Sequence, residues 1–501
     1  MTDRALAPAE ATDEGLFSRT YATATASFAA VMFLTGLAAL AVVPTLPTAA
    51  RALDGVTLYP LVAGCFVAAS LLGGVLGGHW ADRAGAHRPL AVGLVLAVVT
   101  LLVSGASTTI WQLAAGRFLD GVAGGMVAVA INTAIGQAYP ESLRPRALAL
   151  MSACWIVPSL VGPPLAGLVT EWWSWRAVFF GLAGLTLLPT LVVMAALRAH
   201  SRPRPAEPTA DQAARPALLV ALGVSVGAAL AQYGVSAWDP RHLLFAAGGI
   251  ALLVVFAPRL LPPGTWRAAR GLPATVLLCG LGSGVFFTLE AFVPLLLVTE
   301  RDAPPMVIGL AFTGAALAWA ASSWTQGHLL PRCPRHRLVV AGALVQMVAV
   351  VIAAVGTLTA VPAYTAAAAM PVAAVGMGIY APSLTVLSLA HSPPDRQGYA
   401  SSAMQTNQNL GQISVLGLTA ALFNACLGAG SQGSAGYAAA FALLLLPTAL
   451  AAALAAAHAA REPAARDATA PHPPWPGCTP GQGTVHSEPM TGRPPARHSG
   501  P

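Results

Sequence analysis

Runs of about twenty uncharged residues recur along most of this 501-residue chain, and about twenty apolar residues wound as a helix span the hydrocarbon core of a bilayer. A helix satisfies its own backbone hydrogen bonds, which lipid cannot do, so these runs leave the chain few other folds. Composition agrees. Hydrophobic residues make up 56% of the chain and charged residues only 9%, against about a quarter charged in an ordinary soluble domain. The chain reads as an all-α polytopic membrane protein. Its start, MTDRALAPAEATDEGLFSRT, is mixed in charge and is followed by a full-length apolar run, which does not read as a signal peptide.

Fourteen apolar segments can be marked: 24–47, 59–78, 89–108, 112–137, 146–170, 176–197, 215–235, 242–260, 272–297, 306–328, 337–358, 361–389, 398–426 and 434–458. The pair 215–235 and 242–260 is a tight hairpin around SAWDPRH, too apolar to lie outside the membrane. Arginine placement tests the count, and no lysine occurs anywhere. With a cytoplasmic N-terminus, the inner connecting loops carry fifteen arginines. The outer loops carry four: Arg51, Arg176, Arg241 and Arg301. That is a positive-inside pattern, and deleting one crossing would invert every later loop and destroy it. Both termini are therefore expected in the cytoplasm of a multi-pass cell-membrane protein. The formal charge of +7 comes from arginines scattered over loops, not from a stripe suited to nucleic acid.

The expected organisation has a cytoplasmic tail at 1–20 and a six-helix bundle at 21–197. A polar linker at 198–214 and two inserted helices with a following loop at 215–271 come next. A second six-helix bundle covers 272–460, and a Pro-, Gly- and His-rich tail without an apolar face covers 461–501. The six cysteines show no CxxC spacing and read as small buried hydrophobes. His79 and His87 have no close carboxylate pair and make a poor metal site. No metal and no cofactor are expected.

An internal repeat supports two bundles. GHWADRAGAHRPL, from Gly78, and GHLLPRCPRHRL, from Gly327, align at an offset of 249 residues, and the same offset carries Gly162 onto Gly411. Two similar halves around a central site suit a carrier that opens alternately to each side. In the first copy Gly78 and Gly85 suit a tight turn, Arg83 supplies inner-face charge, and Asp82 sits where it can latch onto a neighbouring helix start or an arginine. Any short inner loop would also need turn residues and positive charge.

That stretch resembles the loop signature of the major facilitator superfamily, Gly-x-Leu-Ala-Asp-Arg-x-Gly-Arg-Lys. Gly78, Ala81, Asp82, Arg83 and Gly85 match, while Trp80, Ala86 and His87 depart. VGPPLAG resembles the fifth-helix signature of exporters at Gly162, Pro163 and Gly167, with Pro158 and Ala166 departing. WQLAAGRFLDGVAGG resembles the fourth-helix signature, with Arg117 and Gly121 in place and Asp120 where glutamine is usual. The resemblance covers roughly residues 20–460, and fourteen crossings look most like the proton-driven drug-exporting branch. It implies a monomeric carrier of small molecules driven by the proton gradient, with Asp82 and Gly162–Gly167 in its conformational gate. Exporters of that branch often carry an aspartate in the first crossing before a proline; here GLAALAVVPTLP has Ala38 there.

Three ionisable residues interrupt the apolar segments, and charges are costly against lipid. Arg117 and Asp120 lie three apart on one helix and can pair. They form either a self-satisfied pair or a relay and orienting pair. Glu290, in FFTLEAFVPLLL, has no cation nearby in sequence. Burial disfavours a charged carboxylate and water restores it, so Glu290 suits the exchange of one proton per cycle, with Asp120 the other proton-coupling candidate. The plainer alternative puts Glu290 at the outer water edge beside Glu300 and Arg301. Gln405, Gln408, Asn409 and Gln412 form one polar stripe, which either lines the path or bonds across helices. Trp155, Phe286, Phe287 and Trp324 are apolar contacts for a substrate, or packing. GGVLGG and GVAGG allow close helix approach, and Gly162 with Pro163 allows a bend in crossing five.

The leading reading is a proton-coupled antiporter exporting small amphipathic or antibiotic-like compounds. A transporter of one metabolite is the alternative within that class. No P-loop or HExxH occurs, which argues against an ATP-driven pump or a zinc-dependent membrane enzyme. A non-transporting sensor is the remaining class.

Overall fold

The computed structural model describes residues 15–18, 21–140, 143–199, 211–328, 333–362, 364–393, 397–429 and 433–459. Most of the expected N-terminal tail, most of the linker and the expected C-terminal tail lie outside the described residues. Among those described the regular structure is helical. The first crossing is α1 (Ala22–Val42), a 3-10 turn at Val43–Thr45 and α2 (Leu46–Ala52). The first bundle continues with α3 (Tyr59–Ala84), α4 (His87–Gly105), α5 (Ile110–Ala138), α6 (Arg144–Ala153), α7 (Ile156–Trp172) and α8 (Trp175–Ala199). The inserted hairpin is α9 (Asp211–Gly234) and α10 (Pro240–Phe256). The second bundle is α11 (Leu272–Thr299), α12 (Pro305–His328), α13 (Arg335–Val355), α14 (Thr365–Ala390), α15 (Gln397–Gly428) and α16 (Gly433–Ala459).

Twelve of these stretches are long and apolar enough to cross a membrane. The other two crossings each fall short for a local reason. Crossing seven has 17 described apolar residues, Leu218–Gly234. Crossing five is split between α6 and α7 at Cys154–Trp155. The sequence suggested a bend at Gly162–Pro163; α7 continues through both Pro163 and Pro164, and the helix is interrupted earlier. Pro158 explains the earlier break. It has no N–H for the carbonyl four residues back, which belongs to Cys154, so the helical ladder fails there.

The 249-residue offset holds for the first five crossings of each bundle. It carries α1–α2 onto α11, α3 onto α12, α4 onto α13, α5 onto α14 and α6–α7 onto α15. Packing repeats with it: α3 lies on α5 as α12 lies on α14, α4 on α5 as α13 on α14, and α1 on α7 as α11 on α15. Small residues set these crossings, as the sequence suggested. A Cβ added at Gly73 would strike the carbonyl of Val122, and one at Gly125 the carbonyl of Ser70. Gly85 works differently. Its φ of +81° closes α3 in a backbone conformation that other residues avoid, with open space around it.

The hairpin is fastened to the first bundle along its length. Ser225 donates to the carbonyl of Ala68 at 2.6 Å, and Trp111 meets Tyr233 edge-on with ring centroids 5.3 Å apart. Asp239 caps α10, accepting from the His242 amide at 2.9 Å, a bond that holds its carboxyl below the usual range. After α10 the chain returns to α11 through a link with three positive-φ residues, Gly264, Ala268 and Gly271.

Candidate functional site

Helix ends define two faces, named here by their loops. The arginine-rich face holds the start of α1 and the turn from α3 to α4; the arginine-poor face holds Arg51, Arg176, Arg241 and Arg301. Glu290 lies nine residues from the arginine-poor end of α11, and Asp120 lies ten from that end of α5. At 1.5 Å per residue both carboxylates sit roughly 15 Å deep, near mid-membrane, where carriers of this plan bind cargo.

Arg117 and Asp120 form the expected pair, with Nη1 to Oδ2 at 2.5 Å. Their side chains are 3% and 15% exposed. The Arg117 guanidinium also lies over the Phe66 ring, 4.5 Å from its centroid, while its Nε is buried without a partner. Asp120 keeps a second contact, to the Thr100 hydroxyl at 3.5 Å, and lines a cavity of about 40 Å³. Thr35 and Ala38 of α1 line the same cavity. Asp120 thus shares a cavity with Ala38, the position at which the resembling exporters often carry their first-crossing acid.

Glu290 stands apart. It is partly exposed and has no hydrogen bond or ion pair with any described residue. The alternative that placed it at the water edge does not match its depth. Arg301 is engaged elsewhere, donating to the carbonyls of Gly356 at 2.9 Å and Leu358 at 2.5 Å. Pro294, four residues on, leaves the Glu290 carbonyl without its helical donor. One helical turn back are Phe286 and Phe287, with ring centroids 5.3 Å apart. Phe286 is also 5.2 Å from Trp319 of α12, edge-on. The sequence reading missed Trp319, because nothing in AFTGAALAWA connects it to α11.

The polar stripe divides. Gln405 donates to Asn409 at 3.3 Å within α15, and Gln408 and Gln412 make no hydrogen bond with described residues. The bond across helices comes from Asn407, one residue off the stripe, which donates to the Val276 carbonyl at 2.6 Å. Trp155 is exposed, with one side of its ring against Gly36 of α1. Trp324 is exposed and stacks on His328, away from Glu290.

The residues expected to form a gate fall into two groups. Gly78, Asp82 and Arg83 lie in the last turns of α3 and Gly85 just beyond; the Asp82 side chain is outside the described residues. Gly162, Pro163 and Gly167 lie where α7 is held between bundles. Gly162 faces Leu37 and Ala41 of α1. A Cβ on Gly167 would come 2.7 Å from the Pro305 carbonyl, and one on Gly309 of α12 would come 2.5 Å from the Pro163 carbonyl. Pro164 has no N–H for the Leu160 carbonyl, and the Thr313 hydroxyl of α12 reaches that oxygen at 3.1 Å, alongside its own Gly309 carbonyl at 3.2 Å. Gly309→Val pushes the two bundles apart, and overpacking of this kind costs about 1–3 kcal/mol. It should raise thiol labelling of cysteines introduced at the arginine-poor end; unchanged labelling in folded protein would refute a tight seam there.

Other bonds draw the bundles together toward the arginine-poor face. Tyr59 donates to the Ala291 carbonyl at 3.0 Å, and Arg51 pairs with Asp302 at 2.6 Å. Asn424 donates both to the Thr57 carbonyl at 3.1 Å and to the Val235 carbonyl of the hairpin at 2.9 Å.

Two repeated six-helix bundles around mid-membrane acids define a secondary carrier. The chain belongs to the Major Facilitator Superfamily, whose pattern matches residues 28–416. It is 27% identical over 416 residues to a probable multidrug-efflux transporter of Mycobacterium tuberculosis, covering 80% of this chain and 87% of that one. It is 31% identical over 285 residues to the puromycin resistance protein of Streptomyces alboniger, covering 54% of each. Among solved structures it matches a POT family transporter in complex with 5-aminolevulinic acid with a TM-score of 0.67 at 12% identity, covering 89% of this chain and 98% of that one. The protein is a multi-pass membrane transporter, not an enzyme.

Proposed function

We propose that the protein exports small amphipathic, cationic compounds in exchange for protons, as a monomer in the cell membrane with both termini cytoplasmic. The carrying observation is Glu290: an unpartnered carboxylate at mid-depth, one turn from Phe286, Phe287 and the Phe286–Trp319 pair. A carboxylate beside aromatic faces suits an organic cation with a flat apolar body. The same acid can hold either the cation or a proton, which makes the two compete and couples their movements. Gln408 and Gln412 offer unengaged amides for the polar parts of a cargo. Opening of the α7–α12 seam, with Asp82 latching the arginine-rich face, provides the alternation. The names of the relatives, multidrug efflux and puromycin resistance, support the class of cargo.

The test is purified protein in sealed vesicles with an imposed pH gradient, offered puromycin, tetraphenylphosphonium and a set of neutral and anionic metabolites. The cations should accumulate against their own gradients, and a protonophore should abolish the accumulation. Movement restricted to one neutral or anionic metabolite, or indifferent to the pH gradient, would overturn the proposal.

A further inference from the structure

A slot of about 700 Å³ runs between the inserted hairpin and α15. Its walls reach from Val235 and Trp238 at the arginine-poor end, along α10, to Pro258 and Trp266 at the arginine-rich end. The 17 residues of α10 make it roughly 25 Å long, most of a hydrocarbon core. Nearly all the lining is apolar, and several lining side chains, Val254 and Leu418 among them, are more than 60% exposed. Helix α10 packs chiefly on α9, so its other side looks across the slot rather than onto a neighbouring helix.

The two ends differ in charge. Arg259 and Arg267, each next to a lining residue, are exposed at the arginine-rich mouth, and neither has a carboxylate within ion-pair distance among the described residues. Arg259 rests against the Phe256 ring at 5.3 Å. The tryptophans at the two ends, Trp238 and Trp266, are 57% and 62% exposed, as side chains at the bilayer interface often are. A long apolar slot open to lipid with cations at one mouth complements one ligand chemistry: an acyl chain joined to an anionic head group.

We infer that an anionic phospholipid of the arginine-rich leaflet occupies this slot, one acyl chain lying between α10 and α15 and its phosphate at Arg259 and Arg267. The lipid fastens the hairpin to the second bundle where protein side chains leave a gap. The inference is independent of what the carrier transports.

The probes are phosphatidylglycerol and phosphatidylcholine added to delipidated protein in detergent, with retained lipid counted by native mass spectrometry. The parent should keep one phosphatidylglycerol with roughly tenfold preference over phosphatidylcholine. Arg259→Gln with Arg267→Gln, both on the surface, should remove the preference. Gly417→Leu should displace either lipid, because Gly417 borders the slot and an added Cβ meets only the Gln232 amide nitrogen at 4.0 Å. Equal retention of the two lipids, or retention unchanged in both variants, would overturn the assignment. So would displacement of the lipid by tetraphenylphosphonium, which would make the slot part of the transport path.

Discussion

Glu290→Gln should reduce gradient-driven accumulation of every cation to background, while exchange of labelled for unlabelled substrate continues. Glutamine keeps the size and hydrogen-bonding capacity of the side chain but cannot take up and release a proton. Because Glu290 has no partner among the described residues, the change breaks no ion pair and leaves the fold of α11 intact. Binding of tetraphenylphosphonium should weaken in parallel, since the carboxylate proposed to face it is gone. Flux and binding should both be read in vesicles, with and without a pH gradient. If neutral substrates stayed proton-driven while cations were lost, Glu290 would be a cargo contact only and Asp120 the coupling acid. If all cargo still moved uphill at the parent's proton stoichiometry, Glu290 would have no role in coupling.

The second large effect belongs to Arg117 and Asp120. Breaking a buried ion pair from one side costs about 3–5 kcal/mol, because the remaining charge is left without its partner. The two single changes should not be equal. A carboxylate that loses its partner can shed its charge by taking up a proton, and Asp120 still has the Thr100 hydroxyl. A guanidinium cannot, and Arg117 already has a buried Nε without a partner. Asp120→Asn should therefore lower stability more than Arg117→Met, and the double variant should be milder than Asp120→Asn alone. Thermal unfolding in one detergent measures all three, and strictly additive effects would show that the pair does not act as a unit.

Some of this was readable from spacing alone. Arg117 and Asp120 pair because three residues along a helix bring side chains to one face, and the 249-residue offset places the first five crossings of one bundle on their counterparts. Other features needed the fold. Pro158 was visible, but the break it makes at Cys154 was overshadowed by the more conspicuous Gly162–Pro163. The amide that bonds across helices is Asn407, because its neighbour in space is α11, and sequence periodicity shows which residues share a face without showing what the face meets. The Phe286–Trp319 contact and the cavity shared by Ala38 and Asp120 join residues from different helices. No period within one helix encodes them.

The double tie of Asn424 has a consequence for motion. Its amide holds Thr57 of the first bundle and Val235 of the hairpin, so separation of the bundles with the hairpin on the first must release both. Ser225 and Tyr233 bind the hairpin to α3 and α5, and the Gln232 amide donates to the Ile413 carbonyl of α15 at 3.3 Å, so a hairpin that travels with the first bundle must also open that bond, with the link through Gly264, Ala268 and Gly271 taking up the slack. The space between α10 and α15 must then change width with every turnover. Side chains have fixed volumes and would either jam such a space or leave a void at one extreme of the stroke. A fluid filler drawn from the surrounding bilayer can thin and thicken with it, so the width of that gap, followed by fluorophores on α10 and α15, becomes a gauge of the cycle that touches no residue on the transport path.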